Sequence, residues 1–455
     1  MTNRLTVPQE TLTALCAELR ENTAIDTSKY AHYDIKRGLR NADGSGVVAG
    51  LTRVCNVHGY VMNEGEKEPI DGELTYRGIN IEDLVEGYIR RRTPRYGFEE
   101  TAYLLLFGHL PSRDQLASFN TLLESYRELP DFFTEDMILK SPSPNIMNMM
   151  QRSVLSLYSY DKNADDVSME NLVRQSIFLL SMLPSIMSYA YQVKRRVYDR
   201  DSMYFHPLIE NSSTAETVLR SLRPDGEFTA EEANLLDICL MIHAEHGGGN
   251  CSTFTSRVLS SSGTDTYSAV SAAIGALKGP RHGGANITVM EMLSHMQRDI
   301  HNPADEDEVV AYLRKLLAGE AGDGSGLVYG MGHAVYTKSD PRAVLLKKYA
   351  RSLAEKNGFG DEFRLLELVE KHTPRLVVEK TGHDTGVCAN VDLYSGLVYR
   401  TLGLSPELYT PLFALARTAG WCAHRIEELT HNKRIIRPAY KAIVPHEDYV
   451  DLDNR

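Results

Sequence analysis

Residues 229–250 read TAEEANLLDICLMIHAEHGGGN, and they carry the pattern that decides the fold. Thr229 and Glu232 form a capping box, which is typical of the first turn of a helix. Apolar residues then recur at helical spacing until a run of glycines ends the segment. Similar segments recur along the chain, whereas strand-like patterns are confined to residues 46–76. The sequence therefore predicts a mainly helical, all-α protein with a small β ribbon near the N-terminus.

Further helices are predicted on both sides of this segment. One runs from Phe98 to Phe107 and ends at a glycine, and another runs from Ala285 to Met296. Near the C-terminus, Ser405-Pro406-Glu407 has the composition of an N-cap followed by a first helical turn. We expect this helix to reach Leu429, with a kink at Pro411.

Length and glycine-rich junctions predict more than one domain. The chain has 455 residues, whereas a single domain averages roughly 150 residues. Glycines and prolines punctuate the middle of the chain around residue 283. We expect a large helical domain over residues 1–283, a small domain over residues 284–399, and C-terminal helices over residues 400–455 that return to the large domain.

Charge and composition exclude several classes of protein. With 49 basic and 61 acidic residues the formal net charge is −12, which disfavours nucleic-acid binding through a basic face. Any anionic substrate must therefore be held by local cations. Residues 176–193 carry no charge, but their serines and central proline favour a buried helix over a membrane span.

The N-terminus and the cysteines predict a cytoplasmic location. Glu10, Glu18 and Glu21 argue against a secretory or mitochondrial leader. The 6 cysteines contain no C-x-x-C pair, so a zinc ribbon or a thioredoxin-type site has no support. Free thiols in a reducing compartment are the simplest interpretation.

Three histidines lie at glycine-rich junctions: His246 in HAEHGGGN, His282 in GPRHGGAN and His333 in GMGHAVY. Neighbouring glycines leave the rings uncovered and let a ligand approach the backbone, so three such histidines favour a functional site. His282 precedes a helix, whose positive end favours a neutral ring that can donate to a carbonyl oxygen. His246 ends a helix, where the dipole favours a cation facing an anion, a simple C-cap being the alternative.

Two charged residues extend this candidate set. In Asp340-Pro341-Arg342 the aspartate caps a helix, so Arg342 opposes the dipole from the first turn. Either an anionic ligand or a structural salt bridge would explain that placement. Asp392 stands alone in the apolar segment NVDLYSG, where an ordinary N-cap is the alternative to a functional carboxylate. A metal site is disfavoured, because His246 has no complete ligand set at a known spacing.

Together these segments resemble the citrate synthase family. GPRHGGAN, GMGHAVY followed by DPRA, and NVDLYSGLVYR look like the family's three catalytic motifs, and they occur in the family's order. The resemblance covers roughly residues 40–440. It implies a nearly all-α, two-domain homodimer that condenses acetyl-CoA with oxaloacetate and then hydrolyses citryl-CoA. It implies no tightly bound cofactor and no metal.

The resemblance also implies three catalytic roles. Asp392 matches the base that removes the methyl proton of acetyl-CoA. His282 matches the neutral donor to the thioester oxygen, and His333 matches the residue that polarises and protonates the oxaloacetate ketone. A weakly acidic α-proton requires such a base and such an oxygen donor to act together.

Five further residues are implied as binding residues. His246, Arg342 and Arg417 match ligands of the dicarboxylate, for which a planar guanidinium is suited. Arg437 matches an arginine that the partner subunit contributes to the site. Lys338 lies where the phosphates of coenzyme A are expected.

The sequence departs from the family pattern at three positions, and three other functions are alternatives. Glu245 replaces the more usual aspartate, Thr337 a frequent basic residue, and Ala389 a frequent proline. The nearest alternative is 2-methylcitrate synthase, because one methylene of propionyl-CoA is worth only about 1–3 kcal/mol of discrimination. A non-catalytic metabolite sensor and a metal-dependent hydrolase are alternatives from other classes.

Overall fold

The computed structural model describes residues 8–25, 29–41, 44–64, 66–383, 386–432 and 434–454. Helices account for 59% of the structure and strands for 6%, which confirms the prediction of a mainly helical protein. The chain forms two compact units, Met1–Leu51 and Thr52–Arg455. The first unit contains the helices α1 (Gln9–Asn22) and α2 (Lys29–His32).

A small antiparallel sheet begins the second unit, with β1 (Cys55–Asn63), β2 (Glu66–Tyr76) and β3 (Ile79–Asn80) in that spatial order. Cys55 lies opposite Tyr76, and the register shifts between His58 and Tyr60. The predicted ribbon is therefore confirmed, although Val47 and Val48 of the predicted strand region lie outside these strands and are exposed.

The remaining α-helices that the structure describes follow the sheet in sequence. They are α3 (Ile81–Ile89), α4 (Gly97–Phe107), α5 (Arg113–Ser125), α6 (Ile146–Leu157), α7 (Met169–Lys194), α8 (Thr214–Leu222), α9 (Ala230–His243), α10 (Cys251–Ser261), α11 (Thr266–Lys278), α12 (Ala285–Asp299), α13 (Glu306–Ala318), α14 (Pro341–Lys356), α15 (Gly360–Thr381), α16 (Val391–Thr401) and α17 (Tyr409–His431).

Most helix starts follow the local sequence signals. Thr229 and Glu232 form the expected capping box of α9. Asp340 caps α14 and Pro341 occupies its first turn. Ser405 is the N-cap of a helical turn with Pro406 in its first position, as predicted, but this turn is a 3₁₀ helix and α17 itself begins at Tyr409. Pro411 consequently lies in the first turn of α17, where its missing N–H interrupts no helical hydrogen bond.

The helix α17 forms the centre of the larger unit. It is buried along most of its length and packs against α4, α7, α9, α10 and α11. The uncharged residues 176–193 lie in α7. Among the described residues, Met169–Asp199 is long and apolar enough to cross a membrane, but 83% of its apolar window is buried inside the protein. That burial is typical of a core helix.

The helices between residues 284 and 399 also pack on one another. The helix α14 contacts α15 and α16, and α12 contacts α16. Gly396 of α16 permits this approach, because a Cβ there would lie 2.7 Å from Cγ of Met290 in α12. The boundaries at residues 283 and 399 remain a prediction.

Candidate active site

A short backbone bridge brings His333 and Asp392 together. Met331 pairs antiparallel with Ala389. The hydrogen bonds of this bridge run from the Gly332 amide to the Cys388 carbonyl, at 2.7 Å, and from the Asn390 amide to the Gly330 carbonyl, at 2.9 Å. The loop that carries His333 is thereby fixed to the segment that leads into α16 and Asp392.

The hydrogen bonds of His333 determine which ring nitrogen carries its proton. The Nδ1 atom accepts from the backbone amides of Val335 and Tyr336, each at 3.0 Å. An amide can only donate, so Nδ1 holds a lone pair and Nε2 carries the hydrogen. The Tyr336 ring stacks on His333 with centroids 4.5 Å apart. The ring is thus a neutral donor through Nε2.

The β-sheet supports the loop that carries His333. A Cβ on Gly59 of β1 would lie 2.6 Å from the Val335 carbonyl oxygen. A Cβ on Gly72 of β2 would lie 2.6 Å from the Tyr336 ring. Glycine is therefore required at both positions for the sheet to pack closely against this loop.

His282 is a neutral donor of the opposite tautomer. Its Nε2 accepts from the backbone amide of Ser252 at 3.2 Å, which leaves the hydrogen on Nδ1. The Ser252 hydroxyl lies 2.9 Å from the same nitrogen and accepts from the indole N–H of Trp421 at 3.2 Å. Burial, assisted by Arg417, lowers the pKa of His282 to about 4. The expected neutral ring is therefore found, with burial as its main cause.

The expectation of a cationic His246 is wrong. Burial lowers the pKa of His246 well below its ordinary value, and the neighbouring charge of Arg342 lowers it further. These effects outweigh the dipole at the end of α9. The ring meets His333 edge to face, with centroids 5.2 Å apart, and its Nε2 has no hydrogen-bond partner among the described residues.

Arg342 forms the structural salt bridge that was the alternative explanation for its position. Its Nε and Nη2 donate to the two carboxylate oxygens of Asp340 at 3.0 and 2.7 Å. The Arg342 side chain is 4% exposed and that of Asp340 is fully buried. The pair holds the Arg342 guanidinium near His246 and Asp392. Burial lowers the pKa of Arg342, but Asp340 outweighs burial and raises it above its ordinary value.

Arg417 is a buried cation without a carboxylate partner. It is 1% exposed, its Nε donates to the His243 carbonyl at 2.7 Å, and it lies over the Phe413 ring. Its Nη2 has no hydrogen-bond partner, and no carboxylate of the described residues forms an ion pair with it. Burial lowers the pKa of Arg417. A guanidinium in this condition favours the binding of an anion.

Asp392 lies in the first turn of α16, after the residue that caps the helix. The N-cap is Asn390, whose side chain accepts from the Asp392 amide at 3.0 Å, so the simple N-cap alternative is wrong. No donor among the described residues hydrogen-bonds the Asp392 carboxylate. Burial raises its pKa to about 6, and Arg342 opposes that shift.

The structure thus places six of the predicted residues close enough for the charges of some to shift the pKa values of others. They are His246, His282, His333, Arg342, Arg417 and Asp392. The other two lie apart: Lys338 is exposed shortly after His333, and Arg437 is exposed in the C-terminal tail.

Sequence reasoning missed Ser252 and Trp421. Trp421 is the single tryptophan of the chain and is fully buried, which was the one signal that could have drawn attention to it. Ser252 occupies an ordinary position in the first turn of α10 and gave no signal.

The arrangement is suited to removing a proton next to a carbonyl group. It offers a carboxylate with a raised pKa, two neutral imidazole donors and an unpartnered guanidinium for an anion. Within the ranges that the structure describes, no group of three or more histidine, cysteine or acidic side chains is placed to hold a metal ion.

Comparisons with known proteins bear on this chemistry. A family model described as citrate synthase, C-terminal domain, matches residues 41–439. Citrate synthase of Synechocystis sp. is 34% identical over 90% of this chain and 93% of its own length. The protein 2-methylcitrate synthase 1 of Corynebacterium glutamicum is 32% identical over 91% of this chain and 97% of its own length.

Solved structures agree with the sequence relatives. Citrate synthase from Thermotoga maritima has a TM-score of 0.71 at 29% identity, covering 92% of this chain and 99% of its own. The ternary complex of citrate synthase from Thermoplasma acidophilum with carboxymethyl coenzyme A and oxaloacetate has a TM-score of 0.73 at 26% identity, with the same two coverages of 92% and 99%.

Proposed function

The chain belongs to the citrate synthase family, which is of the acyltransferase type, and from this premise we propose that it joins acetyl-CoA to oxaloacetate through His282, His333 and Asp392. The observation that carries the proposal is that the two imidazoles can each donate a hydrogen bond and the carboxylate can accept a proton. Each imidazole accepts a hydrogen bond through one nitrogen and therefore carries its hydrogen on the other, while no donor among the described residues hydrogen-bonds the Asp392 carboxylate.

The first step forms the nucleophile. Asp392 removes a proton from the methyl group of acetyl-CoA, and Nδ1–H of His282 donates to the thioester oxygen on which negative charge develops. A positioned base contributes about 10²–10⁴-fold, and a preorganised donor stabilises the developing charge by about 2.7–4 kcal/mol. Since Ser252 and Trp421 fix the His282 ring, this donor needs no reorientation during the reaction.

The second step forms the carbon–carbon bond. The enolate carbon attacks the ketone carbon of oxaloacetate, and Nε2–H of His333 passes its proton to the ketone oxygen. Water then cleaves the citryl-CoA thioester to give citrate and free coenzyme A. The two amides that bind Nδ1 of His333 keep the donating nitrogen fixed while the proton moves.

Binding of oxaloacetate is proposed to use the cations behind this site. Arg417 offers Nη2 to one carboxylate, because no carboxylate of the described protein residues occupies it. Arg342, held by Asp340, supplies a second positive charge, and the neutral His246 offers its ring nitrogen. A dicarboxylate would thus neutralise the charge of Arg417, which no carboxylate of the described residues pairs with.

We propose that residues 284–399 form a small domain that closes on the remainder of the chain during turnover. The loop with His333 and the start of α16 are joined by the backbone bridge, so they would move together. Closure of this kind excludes water until the condensation is complete. Exposed Lys338 is then available to the phosphates of coenzyme A. We place the enzyme in the cytoplasm.

A homodimer with a shared arginine is part of the proposal. Residues 434–450 form no helix or strand, and Ile435, Tyr440 and Val444 of this tail are 61%, 94% and 80% exposed. Large apolar side chains exposed in this way favour burial against a second copy of the chain. Arg437 lies in the same tail and would thereby reach the partner's site.

Mixed dimers provide the test of this sharing. We expect a dimer of one Arg437→Ala chain and one Asp392→Asn chain to keep about half of the wild-type rate, because the site with the intact base receives the intact Arg437 of the other chain. A second dimer carries both changes on one chain and none on the other. It should lose nearly all activity, because its intact base lies opposite the altered tail. The tagged wild-type–Asp392→Asn dimer is the reference, at about half of the wild-type rate. Loss of nearly all activity in the first dimer, or a rate equal to the reference in the second, would contradict sharing.

The acyl donor is tested by direct comparison. We expect coenzyme A release with oxaloacetate to have a higher kcat/KM for acetyl-CoA than for propionyl-CoA. The second candidate, 2-methylcitrate synthase, is retained because a relative of that name is 32% identical, close to the 34% of the citrate synthase relative. A clear preference for propionyl-CoA would favour it, and absence of release with both donors would favour a metabolite sensor.

A further inference from the structure

A buried acid–imidazole pair lies behind the proposed oxaloacetate site and has no part in the chemistry above. The side chains of Glu245 and His424 are both 0% exposed, and Oε1 lies 3.1 Å from Nε2. Glu245 directly precedes His246, and His424 lies two turns after Arg417 on α17. The pair is therefore connected by the backbone to two of the proposed substrate ligands.

Arg257 determines which nitrogen of His424 carries the proton. Its Nε and Nη2 both lie within hydrogen-bond distance of Nδ1 of His424, at 3.1 and 2.6 Å. A guanidinium can only donate, so Nδ1 must hold a lone pair. The His424 ring is consequently neutral, with its hydrogen on Nε2, the nitrogen that lies 3.1 Å from Oε1 of Glu245.

The helix α17 presents Arg417, Gly420 and His424 on one face, since residues three and four apart are neighbours on a helix. Glu245 lies against this face. A Cβ on Gly420 would lie 2.6 Å from the Ala244 carbonyl oxygen and would also collide with the Glu245 carboxylate. Gly248 rests on the His424 ring, where its Cβ would lie 3.3 Å from Cε1.

The Glu245 carboxylate therefore has two candidate partners along α17. Neither of its oxygens has a hydrogen bond of good geometry from the described residues, and Nη2 of Arg417 is also without one. The contact with His424 is thus an electrostatic contact. Burial raises the pKa of Glu245, but this contact and then the unsatisfied cation Arg417 lower it below its ordinary value.

We propose that His424 is a positioning residue, which keeps the Glu245 carboxylate directed away from Arg417 so that Arg417 remains available to oxaloacetate. This inference rests on the proposed function and adds a determinant of oxaloacetate affinity to it. Without the His424 N–H dipole, Glu245 would pair with Arg417 and compete with the substrate carboxylate for the same guanidinium.

Kinetics of His424→Leu test the proposal. We expect the KM for oxaloacetate to rise at least ten-fold, with the KM for acetyl-CoA unchanged and kcat at saturating oxaloacetate within about three-fold of wild type. His424→Gln, which can still accept from Arg257 and donate toward Glu245, should retain a KM near that of the wild type. If His424→Leu does not fold, His424→Asn, whose amide is too short to reach Glu245, replaces it.

A second substitution distinguishes competition between Glu245 and oxaloacetate from general damage to the site. Adding Glu245→Gln to His424→Leu removes the competing charge, so we expect the KM for oxaloacetate to recover most of its loss. Arg425→Met is the matched control, because Arg425 is as deeply buried on α17 but bonds Ser260 and Thr266. It should lower Tm without changing the KM for oxaloacetate.

Two outcomes would overturn the proposal: a KM for oxaloacetate that His424→Leu leaves unchanged, or a raised KM that Glu245→Gln does not restore. Calorimetric titration of oxaloacetate into each variant gives the same comparison independently of turnover. If the wild-type enzyme binds oxaloacetate but releases no coenzyme A, the proposed function fails while the positioning role remains measurable.

Discussion

Replacing Asp392 by asparagine is expected to lower kcat by about 10²–10⁴-fold while leaving the fold intact. The amide has nearly the volume of the carboxyl group but cannot accept the methyl proton of acetyl-CoA. No donor among the described residues hydrogen-bonds the Asp392 carboxylate, so the substitution breaks no internal hydrogen bond. Initial rates of coenzyme A release and a thermal melt measure the two effects separately.

The matched control is Asp361→Asn. Asp361 also lies in the first turn of a helix, α15, but it is exposed and distant in sequence from the proposed site. We expect its kcat to equal that of the wild type. A variant Asp392→Asn with near-normal turnover would remove Asp392 from the mechanism.

The pH dependence of the wild-type enzyme should report the same residue. Asp392 must be ionised to act as a base, and burial raises its pKa to about 6. Activity is therefore retained above this value and falls as the pH drops through it, approaching ten-fold per unit. His282, with a pKa of about 4, stays neutral across this range. If the residual activity of Asp392→Asn falls in the same way as the pH decreases, the group that titrates is not Asp392.

His282→Ala has the second largest expected effect. Loss of a preorganised oxyanion donor typically lowers kcat by about 10²–10³-fold. The same change leaves the Ser252 amide without its acceptor, which costs about 1–3 kcal/mol of stability if water does not replace the ring. We therefore expect a lower Tm together with the loss of turnover.

Exchange of the acetyl-CoA methyl protons with deuterated water distinguishes a loss of enolate formation from a loss of stability. Because His282 stabilises the enolate before any carbon–carbon bond forms, His282→Ala should slow this exchange as strongly as it slows turnover. His301→Ala serves as the control, since His301 is 94% exposed and lies in the loop after α12. Normal exchange in folded His282→Ala would contradict the assignment of the thioester oxygen donor.

Local signals predicted much of the fold correctly. The capping box at Thr229 and the Asp340-Pro341 start of α14 are each satisfied within one helical turn, so their structures depend on adjacent residues alone. The start of α17 was misjudged because a 3₁₀ turn and the first turn of an α-helix tolerate the same Ser-Pro-Glu sequence. Tertiary packing, which short patterns do not encode, decides between them.

Protonation within the site was less predictable, because it depends on residues that are far apart in the chain. The dipole argument for His246 considered only its own helix, whereas burial and Arg342 determine the state of the ring. The choice between a ligand and a salt bridge for Arg342 likewise required the observed geometry of Asp340. The donor that orients His282 is a backbone amide, and a backbone amide has no sequence signature.

The bridge between residues 330–332 and 388–390 makes the spacing of acid and base largely independent of side-chain identity. Its two hydrogen bonds use the carbonyl of Cys388 and the amide of Asn390, and neither uses the amide of Ala389. A proline at that position would sacrifice no bond of the bridge. Sequence drift between alanine and proline is therefore permitted here, and the proposed catalytic pair, His333 and Asp392, can be inherited unaltered by lineages that differ at this residue.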